Sequence, residues 1–171
     1  MQQRVIALEE LPMEVPETDA FIEQIVDKFV HRLFPSFVEP GFVACPDEHF
    51  PAFAAAMTRA AMARGVVTEV IDLRPAPAER LDEVTERIYV SNRQPLDPTS
   101  PPRLLVLVGF DLLEGHDHEE PTYPFRSEFQ FDKQHLWLFV GRDRRRLGRL
   151  FHNRKLPLYR AAQDLTPQEW R

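Results

Sequence analysis

Residues 103–114 read RLLVLVGFDLLE, and this stretch decides the fold class. The run from Leu104 to Val108 is apolar at five consecutive positions. A strand of this kind is typical of a parallel sheet that is covered on both faces, because the side chains of both faces are then buried. The run LWLFV at residues 136–140 predicts a second central strand. We therefore expect an interior sheet between layers of helix.

Further strands and helices alternate along the chain. Strands are predicted over residues 42–45, 66–73 and 156–159 by the β-branched or apolar runs FVAC, VVTEVIDL and LPLY. The last of these is predicted to be an edge strand, because Pro157 cannot donate a hydrogen bond to a neighbouring strand. Apolar residues at three- and four-residue spacing, with Pro and Gly at the boundaries, predict helices over 18–33, 51–64, 78–90 and 143–152. Residues 112–127 are predicted to form a long polar loop. The fold class is an α/β domain with a mainly parallel sheet of four or five strands and helices on both faces.

Composition excludes several classes of protein. The chain has 171 residues, enough for one domain with a real core, which we place at residues 18–171 after an N-terminal arm at residues 1–17. A hydrophobic content of 43% and a charged content of 28% exclude wholesale disorder. No apolar run approaches the roughly 20 residues of a membrane span, and the first residues resemble no secretory signal. The single cysteine, Cys45, forms no intramolecular disulfide, so we expect a cytoplasmic protein.

Charge is distributed unevenly along the chain. Residues 1–125 contain 10 basic and 22 acidic side chains, whereas residues 126–171 contain 11 basic and 5 acidic ones. This asymmetry indicates an acidic or polyanionic partner for the basic segment 142–160. The candidate binding residues are Arg142, Arg145, Arg146, Arg149, Arg154 and Lys155. A protein partner, nucleic acid bound through its phosphates, and pairing with the acidic remainder of the chain all remain open.

Polar residues follow the predicted strands at the edge where ligands bind in such sheets. Asp47, Glu48 and His49 come after the first strand, and Asp111 follows the third. This order resembles a P-loop NTPase core over about residues 40–145. The strand–loop–helix–strand entry of such a core is resembled by FVACPDEHFPAFAAAMTRAAMARGVVTEVIDL. The Walker B strand is resembled by RLLVLVGFDLLEG, with Asp111 at the acidic position, and the later sensor strand by LWLFVGRDRR.

The first loop departs from the P-loop pattern. A Walker A loop, G-x-x-x-x-G-K-[ST], wraps phosphates in backbone N–H groups and presents a lysine. At that spacing after Gly41 the chain has Pro46, Asp47 and Glu48, which remove a donor and add negative charge. We therefore expect no nucleotide cofactor and no ATP hydrolysis. A simpler role for Asp47 or Glu48 is to cap the helix that follows.

Two further features bear on catalysis, a cluster of possible metal ligands and a single cysteine. The motif GHDHEE at residues 115–120 places His116, Asp117 and His118 together, so two imidazoles and a carboxylate could bind one divalent ion. The alternative interpretation is a solvated loop. Cys45 lies in an apolar strand, where a small buried side chain is the usual role. No serine lies in a G-x-S-x-G elbow.

The order of elements is similar to that of the small accessory proteins of BREX phage-defence systems, of the BrxB and BrxF type. The shared order is a strand with an acidic, Pro-containing turn, a helix, a strand that ends in DL, and then LLVLVGFDLL. The resemblance implies a non-catalytic accessory or scaffold subunit that binds a larger protein. Two alternatives remain open: a metal-dependent hydrolase or nuclease that uses Asp111 with His116 and His118, and a nucleic-acid-binding module that uses the basic segment.

Overall fold

The computed structural model describes residues 40–115 and 120–170, in which five strands form one sheet in the order β2-β3-β4-β1-β5. All neighbouring strands are parallel, so the fold class predicted from the sequence is confirmed. The strands are β1 (Gly41–Ala44), β2 (Val67–Asp72), β3 (Arg103–Val108), β4 (His135–Gly141) and β5 (Gln163–Asp164). The predicted N-terminal arm and first helix lie outside the described residues.

Helices cover both faces of this sheet. They are α1 (Phe50–Met62), α2 (Pro77–Asn92), α3 (Thr122–Phe129) and α4 (Arg144–His152). The connection from β1 to β2 runs across the sheet in the opposite direction to the later ones, so right-handed crossovers put α1 on one face and the other helices on the other. Two buried clusters agree with this arrangement, one around Phe53 and Met57 of α1 and one around the remaining helices. No helix in the described part of the chain is long and apolar enough to cross a membrane.

The predicted loop at 112–127 was wrong in part. A 3₁₀ helix occupies Phe110–Leu113, and α3 begins at Thr122. The polar run and two prolines suggested a loop, but Pro124 lies in the first turn of α3, where backbone N–H groups have no partner within the helix. Phe125 and Phe129, four residues apart, are both buried and stack at 5.4 Å.

The predicted edge strand at 156–159 was also wrong, because these residues form turns and β5 follows them. Leu156 N–H donates to Asn153 O, and Tyr159 N–H donates to Leu156 O, both at turn spacing. Leu158 is fully buried in the core cluster around α2, α3 and α4, and this contact anchors the segment. The backbone pairs with β1 only at Gln163 and Asp164.

Candidate functional site: the cavity at the carboxyl ends of the strands

A cavity of about 280 Å³ lies where β1 and β4 end. These neighbouring strands send their connections in opposite directions and to opposite faces of the sheet, which opens a crevice at their carboxyl ends. Cys45 N–H donates to Gly141 O at 2.8 Å and joins the two strand ends. Asp47, Asp111 and Arg142 all line the cavity, so the fold brings these three sequence-predicted residues together.

In the turn between β1 and α1, backbone N–H groups donate hydrogen bonds to carbonyl groups of the same turn. Pro46 O accepts hydrogen bonds from His49 N–H at 3.0 Å and from Phe50 N–H at 3.1 Å. The N-cap residue is His49, and no side chain caps the helix, so the prediction that Asp47 or Glu48 does so was wrong. These two residues precede the cap, and the Pro46 carbonyl takes donors that a capping side chain would satisfy. Unlike an open phosphate-binding loop, the turn uses these N–H groups internally.

Asp111 is a buried carboxylate at the floor of the cavity. It lies in the 3₁₀ helix that follows β3, and only 2% of its surface is exposed. Its Oδ2 accepts a hydrogen bond from Asp143 N–H at 3.2 Å. Burial raises the pKa of Asp111 above its ordinary value, and hydrogen bonds from backbone N–H groups offset only part of that effect.

Both arginines of the cavity already face a carboxylate. Arg142 Nη1 lies 3.6 Å from Asp47 Oδ2, between two well-exposed side chains. Arg74 binds Asp72 in a bidentate manner, with its Nε and its Nη2 each 2.9 Å from a carboxylate oxygen. Burial raises the pKa of Asp72, but the hydrogen bonds and charge of Arg74 outweigh it, so that pKa lies below its usual range. Both arginines that line the cavity are thus already paired with a carboxylate.

Glu48 and His49, the other two residues predicted for this edge, do not line the cavity, whereas Cys45 does. Glu48 is exposed, and the His49 ring stacks on Trp170 with 5.7 Å between centroids. Cys45 is 2% exposed, and burial together with the charges of Asp47 and Glu48 raises the pKa of its thiol to about 12. A thiol with that pKa is protonated at neutral pH, as expected for a cysteine in an apolar strand.

The hypothetical metal site at 115–120 is a prediction that the structure does not test, because His116, Asp117 and His118 lie outside the described residues. Within residues 40–115 and 120–170, no group of three or more His, Cys, Asp or Glu side chains could hold a metal ion. Asp111 is therefore not part of a group of three such side chains within these residues.

Part of the basic segment is neutralised within the domain. Glu114 accepts from both Arg149 and Arg146, with Nε–Oε distances of 2.6 and 3.1 Å, and these hydrogen bonds lower its pKa. Arg144 pairs with Asp164 at 2.7 Å. The buried face of α4 consists of Leu147, Leu150 and Phe151. Among the described residues, three candidate side chains have no ion pair: Arg145, Arg154 and Lys155.

No protein-family model matches the chain, and no curated protein matches it. Among solved structures, the chain is similar to the ORC2 protein of Aeropyrum pernix in its ADPNP–ADP complexes, with 15% identity and a TM-score of 0.51. The similarity covers 96% of this chain and 51% of that one, so the chain spans about half the length of ORC2. At this identity the likeness concerns the fold alone, an α/β fold with one parallel sheet.

Two residues of the cavity were missed by sequence reasoning. Arg74 lines it, and its position just after the end of β2 was a usable signal. Gly141 lines it as well, beside Asp111. Its role depends on a contact between residues 30 positions apart, which no local pattern reveals.

Proposed function

We propose that this protein is a non-catalytic accessory subunit that binds a larger protein through its basic C-terminal surface. The observation that carries the proposal is the turn between β1 and α1. In a P-loop fold this turn would wrap phosphates, but here it contains Pro46 and Asp47 and closes on the carbonyl of Pro46. The residues present do not fit a nucleoside triphosphate held in that manner. The resemblance to BREX accessory proteins extends the proposal to a bacterial phage-defence complex.

The surface that we assign to the partner is defined by Arg145, Arg154 and Lys155. All three are exposed, and none forms an ion pair with the described residues. By contrast, Arg146 and Arg149 share Glu114, so part of their charge is already compensated. An acidic protein surface is the complementary partner, and attraction between opposite patches speeds its association.

The test is affinity purification of the full tagged chain from its native cell, at low and high salt, with and without nuclease. We expect a defined larger protein that is recovered after nuclease treatment. The double variant R145E/K155E should lower its recovery at least about tenfold, because reversed charges repel an acidic surface. The matched control is R103E/K133E, which reverses two exposed cations that form no ion pair among the described residues.

Two results would overturn the proposal. Equal recovery with R145E/K155E and R103E/K133E would exclude the basic surface as the binding site. Recovery of nucleic acid alone, lost steeply as salt rises, would show that the basic surface binds phosphates instead. Circular dichroism of each variant shows whether a loss of binding reflects a loss of fold.

A further inference from the structure

A larger cavity, of about 610 Å³, lies at the opposite edge of the sheet, where β1, β4 and β5 begin. Pro40, His135 and Gln163 line it at the starts of these three strands. It shares no lining residue with the cavity at the carboxyl ends. The surface of this cavity is a separate candidate site, and nothing in the proposed function depends on it.

A buried carboxylate orients a histidine in the wall of this cavity. The Asp132 side chain is fully buried, and its Oδ2 accepts from Trp137 Nε1–H at 2.7 Å and lies 2.9 Å from His135 Nδ1. Because carboxylate oxygens accept hydrogen bonds, we assign the hydrogen of this contact to Nδ1. The remaining nitrogen, Nε2, has no hydrogen-bond partner among the described residues. Such a carboxylate–histidine pair fixes the ring so that Nε2 can meet a ligand.

Two arginines add positive charge to the same cavity. Arg126 and Arg160 both line it, and neither forms an ion pair within the described residues. The carboxylates of the wall are already engaged, since Asp132 binds His135 and Asp164 binds Arg144 at 2.7 Å. Planar guanidinium groups bind phosphate oxygens in a bidentate manner. Two guanidinium groups that line one cavity and form no ion pair with the described residues therefore favour a phosphate ligand.

The backbone of Arg160 is held in a left-handed conformation. Its φ of 57° is positive, as for no other non-glycine residue in the described part of the chain. A side chain is disfavoured in this region, which glycine adopts without strain. The conformation is maintained by Arg160 N–H, which donates to Phe151 O at 2.8 Å, and by Ala161 N–H, which donates to Leu158 O at 2.9 Å. Arg160 thus lines the cavity from a left-handed backbone position.

We propose that this cavity binds a phosphate group, either as the free anion or on a small molecule. Arg126 and Arg160 donate to its oxygens, and His135 Nε2 accepts a hydrogen bond from a phosphate hydroxyl. Asp132 is a positioning residue that acts through His135.

The two tryptophans of the chain allow a direct test, because Trp137 donates to Asp132 whereas Trp170 stacks on His49 at the other edge of the sheet. The full chain is titrated with inorganic phosphate, and separately with glycerol 3-phosphate, at constant ionic strength, and the indole N–H resonances are followed by NMR. We expect a saturable shift of the Trp137 resonance and none for Trp170. Tighter binding of glycerol 3-phosphate identifies a small-molecule ester as the ligand, and tighter binding of inorganic phosphate identifies the free anion.

Variants decide whether the predicted residues are responsible. R126Q and R160N should each weaken binding at least about tenfold; asparagine tolerates a positive φ, so R160N keeps the backbone of residue 160. R64Q, which removes an exposed cation outside the cavity, should leave binding unchanged. Absence of a saturable Trp137 shift with either ligand, or equal affinity in R126Q, R160N and the wild type, would overturn the proposal.

Discussion

The buried carboxylate of Asp111 occupies the space that a side chain at Gly141 would need. A Cβ atom at residue 141 would lie 2.5 Å from Oδ1, 2.7 Å from Cγ and 2.8 Å from Cβ of Asp111. Real Cβ contacts are essentially never that short. Glycine at the end of β4 is therefore required for the close approach of β4 and the 3₁₀ helix, and it sets the position of the carboxylate in the cavity.

Replacing Gly141 by alanine should destabilise the fold by about 1–3 kcal/mol, since Asp111 is enclosed and cannot simply turn aside. Chemical denaturation measures the change in the free energy of unfolding. Gly148→Ala is the control: its nearest neighbour would be His152 Nδ1 at 3.9 Å, within α4. That substitution should be neutral or stabilise by about 0.5–1 kcal/mol. Equal stability of the Gly141 variant and the wild type would show that Asp111 moves freely.

Asp111→Asn should raise the thermal stability at pH 7. Because burial raises the pKa of Asp111 in the folded state, ionisation of this group disfavours folding above that pKa, and the effect disappears below the unfolded value of about 3.9. Asparagine can still accept the hydrogen bond from Asp143 N–H. Thermal melts of variant and wild type should differ most at neutral pH and converge on acidification. A gain that grows at low pH would contradict the assignment.

Asp164→Asn should lower the thermal stability at pH 7, the opposite of the effect expected for Asp111→Asn. Burial raises the pKa of Asp164, but hydrogen bonds from Thr166 and Arg144 outweigh it, so the folded-state pKa is lowered. The carboxylate therefore stabilises the fold above its unfolded pKa of about 3.9, and this stabilisation is lost as the pH falls through the lowered value. Thermal melts should show a lower Tm for the variant at pH 7 and a narrowing gap in acid. A gap independent of pH would exclude the charge as its cause.

Thr166→Val should cost about 1–3 kcal/mol of stability, because it leaves a buried donor without its acceptor. Ala44 N–H, at the end of β1, donates to Thr166 Oγ1 at 2.9 Å across 122 positions of sequence. Thr166→Ser keeps the hydroxyl and should lose much less. Urea denaturation of both variants gives the comparison, and equal losses would show that packing of the methyl group matters more than the hydrogen bond.

The central strands were predictable from the sequence because burial on both faces leaves a local signature. The runs at Leu104–Val108 and 136–140 are apolar at every position, and the structure buries all of them. The helix α3 and the strand β5 lack such a signature. Phe125 and Phe129 are the only buried apolar side chains of α3, and β5 has two polar residues that become a strand through pairing with β1.

The two candidate sites also differ in whether neighbouring residues in the sequence reveal them. Asp47 and Asp111 were predicted to be neighbours because parallel strands bring their carboxyl ends to one edge. The Asp132–His135 pair was missed, although the two residues are three positions apart, because neither the burial of Asp132 nor the bond from Trp137 is visible in a list of residues.

The α/β class, the central strands and the departure from a phosphate-binding loop follow from the hydrophobicity and the backbone chemistry of neighbouring residues, so they are legible in the amino-acid order. Which charges are compensated is fixed only when the chain has folded. Glu114 meets Arg149 across 35 positions and Asp164 meets Arg144 across 20. Such pairs depend on distances in the folded chain, because Coulomb attraction and hydrogen bonding act over a few ångströms and are indifferent to sequence order.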